Sequence, residues 1–307
     1  MKHHKKILLQ CAVALIAITL NLNAPDFVES TRYVLLGLVI LLIGMPHGAL
    51  DHIIDGNLEG WDPYSFNRRF YSWYLSAVVL YSVLWIFFPL FSFGFFLLIT
   101  LYHFGQADAE RFDLDGWANK VIHFSRGITV VGLIVYGDLV YASEVIESVT
   151  DFSYENFSNQ LFPSEFGAYT LALVYPVAFT LTALIKKIPA VGFFVYFLDA
   201  IIVSALFLFC DPVWAFSIYF GLWHSYNHVK VMLSYLADQD KEVSMGWFYK
   251  NSFIFSLLSY LGLLFIYNML DAFGNEELMV SLLFIVISVL TLPHMIVVEK
   301  LYSKFKP

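Results

Sequence analysis

The sequence has little charge. Asp, Glu, Lys and Arg make up only 14% of its 307 residues, whereas 59% are hydrophobic, and the mean hydropathy is +0.71. A chain this poor in charge is too apolar for a soluble domain. We therefore predict an all-α integral membrane protein, in which helices satisfy the backbone polar groups inside the bilayer.

Cysteines and basic clusters are also scarce. Cys11 and Cys210 lie in apolar segments and form neither a CxxC metal pair nor a disulfide framework, so we expect them to be core residues. The absence of a basic patch excludes nucleic-acid binding. No linker is long enough to divide the chain, so we treat residues 1–307 as a single transmembrane domain.

Apolar runs near the ~20 residues needed to cross a bilayer predict a polytopic bundle of about ten transmembrane helices. The runs are 7–22, 33–54, 70–90, 91–107, 121–142, 168–185, 189–209, 212–236, 250–270 and 278–299. The first run could instead belong to a signal peptide that is cleaved near Ala24. Pro89 and the Phe-Ser-Phe-Gly sequence at 91–94 predict a tight hairpin between the third and fourth runs.

The positions of the basic residues predict the orientation of these helices. With the N-terminus in the cytoplasm, sixteen of the seventeen Lys and Arg residues fall on the inner side, and only Arg32 falls outside. By the positive-inside rule, both the N- and the C-terminus are then cytoplasmic. We expect a multi-pass protein of the cell membrane, surrounded by the lipid bilayer.

Four histidines stand inside these apolar runs at similar depth. His224 and His228 are four residues apart, a spacing that puts both rings on one face of a helix. His47 and His103 lie in two further short motifs. Imidazoles are costly in lipid unless they are paired or coordinated, so we interpret these four histidines as candidate metal ligands.

Other polar residues near these motifs are candidates for a supporting role. Asp51 and Asp108 could accept the outer N–H group of a metal-bound imidazole and so fix its tautomer. His52 is a weaker candidate for the same task. For His123 and His294, a hydrogen bond to a neighbouring helix is the simpler interpretation.

The type of ligand limits the metals that could bind but does not select one of them. Neutral imidazoles without thiolates suit iron, zinc or copper, and an incomplete ligand shell leaves room for O2 or water. Aromatic residues, at 19% of the chain, exceed what anchoring at the membrane interfaces requires. The runs 93–96 and 193–197 could line a slot for a long flat lipid, or could simply pack in the core or face lipid.

Taken together, the histidine motifs resemble those of a known enzyme family. They are Gly-Met-Pro-His-Gly at 44–48 with Asp-His at 51–52, Tyr-His-Phe-Gly at 102–105 with Asp108, and Trp-His at 223–224 with His228. In this order, over essentially the whole chain, they resemble the Brp/Blh family of bacterial and archaeal beta-carotene 15,15'-dioxygenases. Residues 292–294 (Leu-Pro-His) resemble a late family segment, but we carry no ligand role onto His294.

The resemblance implies an iron-dependent enzyme of a prokaryotic cell membrane. Such an enzyme splits the central double bond of beta-carotene with O2 and yields two retinal molecules, often for a microbial rhodopsin. The iron-binding histidines of the family would fall on His47, His103, His224 and His228. No residue would be needed as a covalent nucleophile.

Three other classes of protein remain open on the residues alone. A membrane hydroxylase or desaturase with two irons typically has about eight ligands including HxxHH, whereas this chain has one HxxxH. A haem-binding electron carrier would need axial histidines that face each other across a bundle. A transporter could use Pro46-His47-Gly48 as a break in a helix.

Overall fold

The protein is built from helices, as its composition predicts. The computed structural model describes residues 2–62, 67–109, 114, 116–150, 152, 164–239, 241–272 and 279–305. The helices are α1 (Lys2–Asn23), α2 (Pro25–Val39), α3 (Met45–Gly48), α4 (Asp51–Glu59), α5 (Arg68–Phe87), α6 (Pro89–Ala109), α7 (Trp117–Gly137), α8 (Leu139–Thr150), α9 (Ser164–Lys186), α10 (Ala190–Phe209), α11 (Pro212–Tyr219), α12 (Tyr226–Asp238), α13 (Met245–Ala272) and α14 (Met279–Lys304). Two π-helical segments, Ile40–Gly44 and Phe220–Ser225, follow α2 and α11.

The lengths and exteriors of these helices fit a membrane. Within the described residues, eight helices are long and apolar enough to cross a bilayer, or nine if α7 and α8 count as one broken span. On α13, the side chains of Phe253, Ile254 and Phe265 are 61, 65 and 65% exposed. Large apolar side chains in such positions need hydrocarbon rather than water around them. The predicted all-α polytopic membrane protein is confirmed, while its orientation stays a prediction.

Two of the predicted runs do not form simple spans. The run 121–142 is broken at Asp138, where α7 and α8 meet at 98°. The run 212–236 is helical, but it consists of α11, a π-helical segment and α12. His224, Asn227, His228 and Lys230 lower its hydropathy, and it is not among the eight helices found within the described ranges.

The predicted hairpin between the third and fourth runs is present, but its turn does not lie at 91–94. Residues 91–94 lie inside α6, and the chain turns at Phe88 alone, between the end of α5 and the start of α6. Pro89 is the first residue of α6. Proline is tolerated there because its missing N–H group would have no partner in the helix anyway. The hydroxyl of Tyr81 on α5 donates to the carbonyl of Ser92 on α6 over 2.9 Å and ties the two helices together.

The chain divides into two compact units that are interleaved in sequence. The first unit comprises Met1–Leu41, Thr100–Ala142 and Glu155–Asn227, and the second comprises Leu42–Ile99, Ser143–Tyr154 and His228–Pro307. The boundary falls inside the HxxxH motif, since His224 belongs to the first unit and His228 to the second.

The first unit packs α7 closely against α9 and α10. The Thr129 hydroxyl donates to the carbonyl of Leu171 over 2.7 Å and accepts from the backbone N–H of Tyr175 over 3.1 Å. Cys11 and Cys210 are both buried in the apolar core of this unit, which confirms their prediction as core residues.

The second unit packs α14 against α4 and α5. Its apolar core includes Leu50 and Ile54 from the region of α4, Val229 and Leu236 from α12, and Leu301 from α14. Ion pairs add to this packing. Lys300 on α14 lies 2.7 Å from the Asp55 carboxylate and 3.3 Å from that of Glu59, both on α4.

Candidate metal centre

Three imidazoles come together in the second unit. The ring centroids of His47 and His294 are 5.0 Å apart, those of His228 and His294 are 5.6 Å apart, and those of His47 and His228 are 5.8 Å apart. All three residues are buried, with 7% exposure for His47 and His294 and 1% for His228. The predicted ligands His47 and His228 are therefore neighbours, and His294 joins them.

Each of these imidazoles has a hydrogen-bonding partner at Nδ1. His47 Nδ1 lies 3.3 Å from the carbonyl oxygen of Ile43, and His228 Nδ1 lies 3.2 Å from the hydroxyl of Tyr302. His294 Nδ1 lies 2.8 Å from the Asp51 carboxylate. A carbonyl or carboxylate only accepts, so Nδ1 carries the proton in His47 and His294. In the neutral rings the lone pair is then on Nε2, which is the nitrogen that these two rings could offer to a metal.

Asp51 lies at the start of α4 and connects two further elements. One of its oxygens accepts from the Tyr74 hydroxyl on α5 over 3.1 Å, and the carboxylate also bonds His294 on α14. The imidazole that Asp51 bonds is thus His294, and its predicted role in orienting a metal-bound imidazole stays a prediction. Gly48 lies beside the same ring, because a Cβ atom built on it would be 3.7 Å from His294 Nδ1.

The local backbone is unusual at two of the histidine motifs. His47 lies on α3, directly after the π-helical segment Ile40–Gly44, and His224 lies within the π-helical segment Phe220–Ser225. Single turns of π-helix are rare and occur frequently at functional sites. Gly44 and Pro46 accompany the first of these turns, and Gly221 the second.

The first unit brings His103 and His224 together. Their ring centroids are 4.8 Å apart, and the residues are 3% and 1% exposed. Aromatic rings confine His224, since Phe104 lies 4.5 Å away and Phe220 is stacked on it at 5.4 Å between centroids. The structure therefore groups the four predicted ligands as two pairs, one in each unit.

Two glycines set the position of His103 by allowing α6 and α7 to approach closely. A Cβ atom on Gly105 would collide with the carbonyl oxygen of His123, and one on Gly127 would collide with that of Leu101. Only glycine permits such close contact between two helix backbones. His103 lies between the two α6 residues that make these contacts, Leu101 and Gly105.

A charged pair is wholly buried in the first unit. Arg126 on α7 lies 2.7 Å from the Asp199 carboxylate on α10, and both side chains are 0% exposed. The indole N–H of Trp223 donates to the other oxygen of Asp199 over 3.0 Å. The sequence places Arg126 among the cytoplasmic charges, but in the structure it is a core residue. Because Trp223 directly precedes His224, this pair also holds the segment that carries a predicted ligand.

The remaining candidates take other positions. The described ring contacts of His52 are with Phe255 and Phe70, at 4.7 and 6.5 Å between centroids. Asp108 belongs to α6, but its side chain is outside the described residues. His123 is buried on α7 with its ring 5.8 Å from that of Tyr102.

The chemistry of the neutral nitrogen donors suits a metal ion, while the spacing of the rings is more open than that of bound ligands. Two imidazoles that share one metal at ~2.1 Å from each nitrogen have ring centres about 4.5 to 5.2 Å apart. The pairs His47–His294 and His103–His224 fall in that range, and the other two pairs in the second unit exceed it by about half an ångström. Accordingly, no group of three or more His, Cys, Asp or Glu side chains within the described parts of the chain is already arranged to hold a metal.

Each unit carries an open apolar groove on its described surface. The groove in the second unit has a volume of about 540 Å³ and is lined by residues of α5, α6 and α14, including Phe87, Phe95 and Leu292. The groove in the first unit has a volume of about 280 Å³ and is lined by residues of α9 and α10, including Phe197. Each of the two aromatic runs noted in the sequence thus contributes a residue to a groove.

Helices suited to a bilayer, with buried imidazoles supported by a carboxylate, define a membrane protein with clustered buried histidines. The family model described as beta-carotene 15,15'-dioxygenase matches residues 38–302, and this chain belongs to that family. It is also 24% identical, over 278 residues, to the beta-carotene 15,15'-dioxygenase of uncultured marine bacterium 66A03. This alignment covers 86% of this chain and 92% of that protein. No solved structure matches this chain. Family membership confirms the resemblance carried by the motifs, and it identifies the chain as an enzyme of the carotenoid-cleaving dioxygenase type.

Proposed function

We propose that this enzyme cleaves the central double bond of beta-carotene with O2 and forms two molecules of retinal, at an iron ion held by imidazoles. Family membership supports the substrate and the reaction. The observation that supports a metal centre is that the four proposed ligands are buried and lie in two pairs. The ring centroids are 5.8 Å apart for His47 and His228 and 4.8 Å apart for His103 and His224.

The proposed iron ligands are His47, His103, His224 and His228. Bound Fe²⁺ would supply the activation of O2, which no amino-acid side chain provides. The chain itself supplies four neutral donors and the groups that hold them. The Ile43 carbonyl keeps the proton of His47 on Nδ1, and the rings of Phe104 and Phe220 pack against His224. Asp108 is proposed to support a ligand, with its side chain outside the described residues.

Exclusion of water is a second contribution of the chain. The four histidines are between 1 and 7% exposed, so the imidazoles lie away from bulk solvent. A dry site protects reactive oxygen chemistry from side reactions with water. Beta-carotene is a hydrocarbon that dissolves in the bilayer, and the exposed apolar helix faces allow it to reach the protein without crossing water.

The alternatives from the sequence receive less support. Family membership favours a dioxygenase over a di-iron hydroxylase or desaturase, a haem-binding electron carrier and a transporter. The proposed partners are beta-carotene and O2 as substrates, the lipid bilayer, and a microbial rhodopsin that takes up the retinal.

The test is to measure iron per chain and retinal formed from beta-carotene by protein purified in mild detergent. We expect His224→Ala and His228→Ala to insert normally, because alanine is cheaper in lipid than imidazole, and to form little or no retinal. His123→Ala is the matched control, a buried histidine outside the proposed ligand set, and should keep substantial turnover. Normal retinal formation by either HxxxH variant would contradict the proposed centre, and so would wild-type protein that binds no iron.

A further inference from the structure

His294 is the residue of the second unit that the proposed ligand set leaves without a role. It lies on α14, directly after Pro293, and it is 7% exposed. Its ring centroid is 5.0 Å from that of His47 and 5.6 Å from that of His228. Among His47, His228 and His294, the two shorter separations both involve His294.

The environment of His294 is that of an oriented ligand. Both oxygens of Asp51 lie within hydrogen-bonding distance of Nδ1, at 2.8 and 3.1 Å. Asp51 is itself fixed by the Tyr74 hydroxyl, so α5, α4 and α14 contribute to one chain of contacts. Histidines that bind metals commonly donate the outer N–H group to a carboxylate, which fixes the ring and makes the other nitrogen a stronger donor.

A purely structural role for this histidine and carboxylate explains less of the geometry. The bond to Asp51 accounts for the burial of His294, but it does not require two further imidazoles beside the same ring. Buried polar groups in a membrane protein are costly, and they commonly mark functional positions. Of the three Nδ1 partners in this unit, the Asp51 carboxylate is the only one that is a pure acceptor with a formal charge, and it bonds His294.

We propose that His294 is an additional ligand of the metal centre and that Asp51 and Tyr74 are its positioning residues. The second unit then contributes three imidazoles, namely His47, His228 and His294. This inference rests on the proposed function, because it needs a metal centre in this protein.

The test measures metal binding directly. Metal-free protein in detergent is titrated with Co²⁺, and the affinity and the visible absorption spectrum of the bound Co²⁺ are recorded for each variant. His294→Gln is the decisive variant, because its amide N–H can still donate to Asp51 but it has no imidazole nitrogen for the metal. We expect His294→Gln to weaken Co²⁺ binding by at least ~10-fold and to change the spectrum. Asp51→Asn should weaken binding roughly 10- to 100-fold and keep the wild-type spectral shape.

Controls separate ligand loss from misfolding. His123→Ala should bind Co²⁺ like the wild type, and helix content and size-exclusion profile should be unchanged in every variant that is compared. A His294→Gln variant that binds Co²⁺ with wild-type affinity and spectrum would overturn the inference and leave the proposed function standing. Wild-type protein that binds neither Co²⁺ nor iron would overturn both.

Discussion

The buried ion pair between Arg126 and Asp199 gives a prediction whose size can be worked out from the structure. Both side chains are 0% exposed, and Asp199 accepts from Arg126 at 2.7 Å and from Trp223 at 3.0 Å. The hydroxyl of Tyr175 lies 3.0 Å from the same guanidinium nitrogen, and the Tyr175 ring lies 5.0 Å from the guanidinium carbon. Replacing Asp199 by leucine leaves Arg126 with these Tyr175 contacts but without its carboxylate.

The expected cost has two parts. Removing one partner of a buried ion pair destabilises a protein by about 3 to 5 kcal/mol, because the other charge stays buried without compensation. The indole N–H of Trp223 also loses its acceptor, which costs about 1 to 3 kcal/mol. The Tyr175 hydroxyl offsets part of the first cost. We therefore expect Asp199→Leu to lower the free energy of unfolding by about 4 kcal/mol.

The double variant Arg126→Met/Asp199→Leu separates charge from packing. It removes both charges and fills much of their volume, so it should recover about 2 kcal/mol or more of the loss. The assay is equilibrium unfolding in mixed micelles with increasing denaturing detergent, followed by circular dichroism. A loss below about 1 kcal/mol for Asp199→Leu, or a double variant no more stable than the single one, would refute the reasoning.

Two further predictions concern helix packing and orientation. Gly105→Ala should force α6 away from the His123 carbonyl and lower both the free energy of unfolding and retinal formation. The control Gly94→Ala lies on the same helix with open space around its Cβ position and should change neither. Equal effects of the two variants would contradict the close contact between α6 and α7. A reporter fused to the C-terminus should be active only in its cytoplasmic form, as the distribution of Lys and Arg predicts; activity outside the cell would show that the predicted orientation is wrong.

The sequence was sufficient for the class of protein and for most of the helices. Uninterrupted apolar runs report burial in a bilayer directly, so the first, sixth and seventh runs coincide closely with α1, α9 and α10. Hydropathy does not report backbone bends in the same way. The 98° break at Asp138 lies inside the apolar run 121–142, where the flanking side chains look alike to a hydropathy scale. Residues 91–94 show the converse case, in which a turn signal lies inside a helix. Glycine is common in membrane helices, so Gly94 does not end α6.

The candidate site could be predicted only where one helix carries the pattern. His224 and His228 are four residues apart, a spacing that is itself a signal. Arg126 and Asp199 are separated by 73 residues, and nothing in either local sequence indicates the other. Its charge and its position near the inner start of the run 121–142 therefore predict a cytoplasmic location for Arg126. In the structure Arg126 is paired with Asp199 inside the protein. A basic residue that is paired in this way gives no information about which side of the membrane it is on.

His294 illustrates the same limit and the signal that remains. It is a single histidine near a proline, and its bond to Asp51 joins residues 243 positions apart. The informative residue in the sequence is Asp51, because a carboxylate inside an apolar run requires a hydrogen-bond donor nearby. His47 and His52 are the local candidates, but the Asp51 carboxylate bonds His294 and Tyr74 instead. In a membrane protein the partner of a buried acidic residue is therefore best sought among all hydrogen-bond donors of the chain, whatever their distance in sequence.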